Sequence, residues 1–206
     1  MKIIGVYRKC DFVTMTGTIF ALSGILCAVN GKTLISVFCL IFAAICDAFD
    51  GVVARKHQSK KEQVVYGTEL DSLSDVISFG VLPMLIVQNL TVRNIYTYII
   101  GIIFVLFGVI RLAYFNMLSI TKQSNGKEFI GLPITASAII LPSVYFICLI
   151  LKIKNPYIFP SLLLITGILY VCPFKLRKLT NSEKLMLSVI GIIAVIVCLL
   201  KFVIKI

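Results

Sequence analysis

Long apolar runs separated by short polar breaks leave this chain few ways to fold. Reading from the N-terminus, the runs cover about 12–29, 33–56, 68–89, 94–115, 130–151, 157–171 and 185–203. Crossing the hydrocarbon core of a bilayer takes about 20 helical residues. A backbone facing lipid must satisfy its own hydrogen bonds, which restricts such runs to helices. With 59% hydrophobic and 14% charged residues and a mean hydropathy of +1.04, a soluble globule is excluded. The expected fold is an all-α, multi-pass integral membrane protein in the lipid bilayer. Its 206 residues amount to one domain's worth of chain. Pro133, Pro142 and Pro160 lie in or near the expected spans, where neighbouring groups can satisfy the carbonyls they free.

The polar breaks set the orientation. With a cytosolic N-terminus, 14 of the 20 Lys and Arg residues fall on the cytosolic side. Only Lys32, Arg93, Lys152, Lys154, Lys201 and Lys205 fall on the other, so the positive-inside rule favours this arrangement. All nine acidic residues also land on the cytosolic side. The net charge of +11 therefore reads as membrane topology, and no nucleic-acid partner is expected. Residues 1–11 mix basic and apolar side chains and are read as an N-terminal interfacial segment. No small-residue cleavage site follows the first run, so no cleaved signal peptide is expected. The main transmembrane unit is expected at 12–175, with a loop and one additional span at 176–206. The seven cysteines lie mostly inside apolar runs with no C-x-x-C and read as small buried hydrophobes. The lone histidine, His57, sits in the basic stretch 55–61 and reads as a loop or headgroup contact.

Four of the nine acids, Asp47, Asp50, Asp71 and Asp75, stand at the ends of apolar runs. Asp47 and Asp50 are three residues apart and Asp71 and Asp75 four, so each pair shares a helix face. Solvated loop ends would give no reason for that matched spacing. One carboxylate at mid-membrane costs about 2.5–3.5 kcal/mol on insertion scales, and four cost on the order of 10 kcal/mol unless compensated. Arg55 alone is too little. One or two divalent cations, Mg²⁺ or Mn²⁺, prefer carboxylate oxygens and would neutralise the group. Gly51 and Gly67 remove side chains where a bulky ligand would approach the backbone.

The residues spell D-x-x-D-G-x-x-A-R and then G-x-x-x-D-x-x-x-D, which resembles the signature of the CDP-alcohol phosphatidyltransferase family. All eight positions match: Asp47, Asp50, Gly51, Ala54, Arg55, Gly67, Asp71 and Asp75. The gap between Arg55 and Gly67 is longer than is usual there. The resemblance implies a six-helix transmembrane core, here with an additional C-terminal span, and a homodimer. It implies that Asp47, Asp50, Asp71 and Asp75 gather around the metal ions, with Asp75 acting as the general base. It also implies that Gly51, Ala54, Arg55 and Gly67 surround the CDP moiety. Asp11 and Thr14 loosely match a polar pair near the nucleotide, although Asn is commoner where Asp11 stands.

Three further stretches resemble the phosphatidylserine synthase branch of that family: residues 69–83, Arg111 to Asn116, and Phe129 to Pro133. The activity implied is transfer of a phosphatidyl group from CDP-diacylglycerol to L-serine, at the cytoplasmic face of the cell membrane. Serine carries a carboxylate, and Arg111, expected at the cytosolic end of the fourth run, offers it a bidentate fork. Asn116, about a turn and a half further along, and Lys175 are the other serine-binding candidates. The competing role for Arg111 is snorkelling to lipid phosphates. Glycerol phosphate or inositol phosphate as acceptor would keep the chemistry but call for a richer basic pocket. A cation transporter would need acids at mid-membrane depth and an ion path, whereas these lie beside a basic loop.

Overall fold

The computed structural model describes residues 5–56, 60–120, 128–173 and 175–177. The expected span at 185–203, His57, Cys198 and the polar segment 121–127 lie outside the described residues.

Helices α1 (Lys9–Val29) and α2 (Thr33–Lys56) form an antiparallel hairpin. Its turn is a Schellman motif: Lys32 N–H donates to the Cys27 carbonyl at 2.8 Å and Gly31 N–H to that of Ala28 at 2.9 Å. Gly31 takes φ +73°, the left-handed region a glycine enters without steric cost. The two helices then run almost backbone to backbone. A Cβ on Gly24 would lie 2.8 Å from that of Cys39, and one on Gly17 3.0 Å from that of Cys46. Lipid gives no hydrophobic drive for helices to associate, so such small-residue contacts hold the pair. The Ser36 hydroxyl adds a bond to the Gly24 carbonyl at 2.8 Å.

Helix α3 (Lys61–Asp75), a π-helical turn (Val76–Val81) and α4 (Leu82–Leu90) follow one another as a continuous 30-residue rod. Leu40, Phe79, Leu82, Ile86, Phe104 and Leu141 meet in the core around it. The rod starts at Lys61 rather than at the expected residue 68. Its first turn, Lys61-Glu62-Gln63, is polar, and the Gln63 side chain accepts the Lys60 N–H at 3.1 Å. Asp71 and Asp75 consequently stand about three and four turns into the helix rather than in its first turns. Within the π turn, Leu82 N–H reaches the Ile77 carbonyl. Pro83 has no N–H for the carbonyl of Phe79, and the Ser137 hydroxyl donates to it instead at 3.0 Å.

Helix α5 (Ile95–Ile120) is followed by β1 (Glu128–Ile130), a 3₁₀ turn (Ile134–Ala136), α6 (Ser137–Ile150), α7 (Ile158–Val171) and β2 (Lys175–Arg177). The fifth span thus becomes helical later than residue 130. Residues 128–130 pair antiparallel with β2, Ile130 opposite Lys175. Gly131 then crosses the end of α7 with φ +75°, and a Cβ there would lie 2.8 Å from the Tyr170 carbonyl. Cys10–Val29, Thr33–Ala54, Lys61–Leu90 and Ile95–Leu118 are long and apolar enough to cross a membrane, and Ile134–Ile150 and Ile158–Val171 are shorter apolar helices. The three-residue ribbon aside, this is the expected all-α multi-pass architecture. Ile19, Leu26, Ile102 and Leu106 stay exposed on its outer faces, where lipid would cover them.

Candidate active site

One face from each of three helices meets near the cluster of acids. α2 contributes Ala43, Asp47 and Asp50, and the rod contributes Asp71, Ser74, Asp75 and Ser78. Both sets follow the helical i, i+3, i+4 rhythm that aligns side chains. From α1 come Thr14 and Gly17, whose missing side chain lets α2 close in. The cleft encloses about 10 Å³, room for one water-sized ligand.

Asp47, Asp71 and Asp75 bring carboxylate oxygens within 4.8 Å of one another. Oxygens sharing one Mg²⁺ at about 2.1 Å stand roughly 3–4 Å apart, so a small side-chain rotation closes this group on an ion. A pair of ions about 3.5–4 Å apart is also within its reach. Asp50 is buried but stands outside this tight group. Its Oδ2 accepts the Thr14 hydroxyl at 2.5 Å, which pins α1 to α2. A second pin joins α1 to the rod, the hydroxyls of Thr18 and Ser74 lying 2.6 Å apart.

Two of the serine-binding candidates, Arg111 and Asn116, lie on α5, which packs against the rod. α5 continues beyond Arg111 to Ile120, so Arg111 sits inside the helix rather than at its end. Its guanidinium packs over the Phe115 ring, 5.2 Å from the centroid, and its charge reaches Asp75. Asn116 donates to the Ser72 hydroxyl at 2.9 Å, next to Asp71 in sequence. Asn116 thereby meets α3 one residue from Asp71. The strand β2 carries Lys175; the side chains of Lys175 and Arg55 lie outside the described part of the structure.

The two candidate nucleotide glycines differ in surroundings. A Cβ on Gly51 would meet nothing within 4 Å, which leaves open space for a ligand. At Gly67 it would strike the guanidinium of Arg8, 1.6 Å from Nη2, and lie 2.8 Å from Asp11 Oδ1. Ala54 is half-buried on α2. Sequence reasoning placed Asp11 loosely and did not single out Arg8. The spacing Arg8-x-x-Asp11 was a readable ion pair, but nothing local shows that it docks on α3.

Clustered carboxylates with hydroxyls beside them, set among apolar helices, define a membrane enzyme for metal-assisted chemistry on phosphates. The CDP-alcohol phosphatidyltransferase family model matches residues 9–197. The chain is 38% identical over 201 residues to the CDP-diacylglycerol–serine O-phosphatidyltransferase of Methanocaldococcus jannaschii, covering 92% of this chain and 88% of that one. It is 33% identical over 172 residues to the archaetidylserine synthase of Methanothermobacter thermautotrophicus, with 82% and 72% covered. It is 31% identical over 180 residues to the CDP-diacylglycerol–serine O-phosphatidyltransferase of Helicobacter pylori, with 83% and 72% covered. This chain belongs to the CDP-alcohol phosphatidyltransferase family.

Proposed function

We propose that the protein transfers a phosphatidyl group from CDP-diacylglycerol to the hydroxyl of L-serine, releasing phosphatidylserine and CMP. The observation that carries this reading is the gathering of Asp47, Asp71 and Asp75 within 4.8 Å, three to four turns into the apolar rod. Mg²⁺ or Mn²⁺ held there would neutralise the diphosphate and stabilise charge on the departing CMP. Asp47, Asp50 and Asp71 would serve as its ligands, with Thr14 fixing Asp50. Asp75 contributes to the same group and takes the proton from the serine hydroxyl. The serine oxygen bonds to the lipid-side phosphorus as that phosphorus parts from the bridging oxygen, and CMP leaves with the electron pair. Gly51, Ala54, Arg55 and Gly67 border the nucleotide.

Serine as acceptor is supported by the names of the relatives and by the cation beside Asp75. Arg111 offers its fork to the serine carboxylate, with Asn116 and Lys175 as further polar contacts. Glycerol phosphate or inositol phosphate would bring a phosphate and need more positive charge than Arg111 supplies. The distribution of Lys and Arg favours a cytoplasmic active site, and the family resemblance favours a homodimer. The catalytic unit is assigned to 12–175, flanked by an interfacial segment and a C-terminal span. The test is CMP release by purified protein given CDP-diacylglycerol, or its dialkyl-ether counterpart, and a panel of alcohols. Serine is expected to be the productive acceptor; preference for a phosphate-bearing alcohol would overturn the assignment.

A further inference from the structure

Ahead of α1, the chain is strapped along α3. Tyr7 meets Tyr66 edge-on with ring centroids 5.4 Å apart, and its carbonyl accepts Gln63 Nε2 at 3.5 Å. Arg8 follows, its side chain 15% exposed. Its Nε and Nη2 donate to Asp11 Oδ1 at 3.1 and 2.9 Å, and its backbone N–H donates to Oδ2 at 2.8 Å. The guanidinium rests on Gly67, where a Cβ would come within 1.6 Å of Nη2. Gly67 and Asp71 are four residues apart on one helix face. A cation is therefore held about one helical turn from the carboxylate cluster.

A helix cap explains only part of this. Asp11 accepting the Arg8 backbone N–H completes the first turn of α1. It does not require the guanidinium to descend onto a glycine of another helix, and a partly solvated ion pair contributes little stability by itself. A diphosphate anchored at the cluster has to extend about one helical turn before it becomes ribose or glycerol. The Arg8 contacts to Asp11 use two of the five N–H donors on the guanidinium, and the remaining fork suits phosphate oxygens.

We propose that Arg8, seated by Asp11 on Gly67, is a substrate-binding residue that grips the diphosphate of the CDP-linked lipid beside the carboxylate cluster. The proposal rests on the function read above and assigns the diphosphate its protein cation. The experiment titrates CDP, with Mn²⁺ present, into full-length wild-type protein, Arg8→Ala, Arg8→Lys, Gly67→Ala and the Arg8→Ala/Gly67→Ala double variant. Arg8→Ala should weaken CDP binding about ten- to a hundredfold, the scale of a lost charged hydrogen bond, and Arg8→Lys should weaken it less. Gly67→Ala should mimic Arg8→Ala because its methyl evicts the guanidinium, and the double variant should be no worse than the worse single one. In turnover, Arg8→Ala should raise KM for CDP-diacylglycerol and leave KM for serine unchanged. Unchanged CDP affinity in Arg8→Ala, additive losses in the double variant, or equal rises in both KM values would overturn the proposal. Wild-type protein that binds CDP through Arg8 yet releases no CMP with serine upholds it and overturns the serine reading. A serine-active enzyme whose Arg8→Ala variant binds CDP normally does the reverse, and wild type that binds no CDP overturns both.

Discussion

Replacing Asp75 with Asn removes one charge and one proton-accepting oxygen while keeping the shape of the side chain. The Asp75 carboxylate is 9% exposed and lies within 4.8 Å of those of Asp47 and Asp71. Two like charges at the 4.8 Å limit of this group repel by roughly 3 kcal/mol at an effective dielectric near 20, and water reaching the group lowers that figure. Without metal, Asp75→Asn should therefore unfold at a higher temperature than wild type. Catalysis moves the other way. Loss of a general base lowers turnover by about 10²–10⁴, or roughly 3–5 kcal/mol of barrier. A packing defect would lower both quantities, so the opposite signs are diagnostic. The assay pairs CMP release at saturating substrates and Mn²⁺ with thermal unfolding in EDTA. Turnover within threefold of wild type, or a joint loss of activity and chelated stability, would rule out Asp75 as the base.

Asp47→Asn should weaken metal binding first, so excess Mn²⁺ restores part of its activity and none of that of Asp75→Asn; the reverse pattern in a metal titration would exchange their roles. Arg111→Ala should raise KM for serine about ten- to a hundredfold and leave KM for CDP-diacylglycerol nearly unchanged; equal shifts would make Arg111 a lipid or structural contact. Gly131→Ala forces a Cβ into a residue at φ +75° and to within 2.8 Å of the Tyr170 carbonyl. It should cost about 1–3 kcal/mol of stability and lower Tm without a selective rise in either KM; an unchanged Tm would show that the crossing over α7 relaxes freely.

The helical character of the spans and the sharing of faces by the acids were legible because both are local properties. Periodicity reports that Asp71 and Asp75 align; it does not report which helix they meet. Thr14 bonding Asp50 joins residues 36 apart, and Thr18 meeting Ser74 joins residues 56 apart. Those contacts depend on how closely α1 approaches α2 and the rod, which Gly17 and Gly24 permit but do not announce. The start of the rod was misplaced because a polar first turn resembles a loop until Gln63 is seen capping it. The span expected from residue 130 was too long because apolar composition alone does not distinguish a strand and a turn across α7 from a helix. Arg111 lies inside a helix and not at its end for a related reason: the run of apolar residues thins at Phe115, but the helix carries on to Ile120 and keeps the cation packed over the Phe115 ring. Arg8 shows the same limit most sharply, since its partner on α3 is a glycine, a residue with no side chain to signal a contact.

The most direct test of the central claim is to measure CMP and lipid product together, from purified protein given CDP-diacylglycerol and L-serine, with and without divalent metal. Phosphatidylserine and CMP are expected in a one-to-one ratio when Mg²⁺ or Mn²⁺ is present, and neither product after rigorous chelation. Serine-dependent turnover that survives chelation, or CMP released without phosphatidylserine, would contradict it.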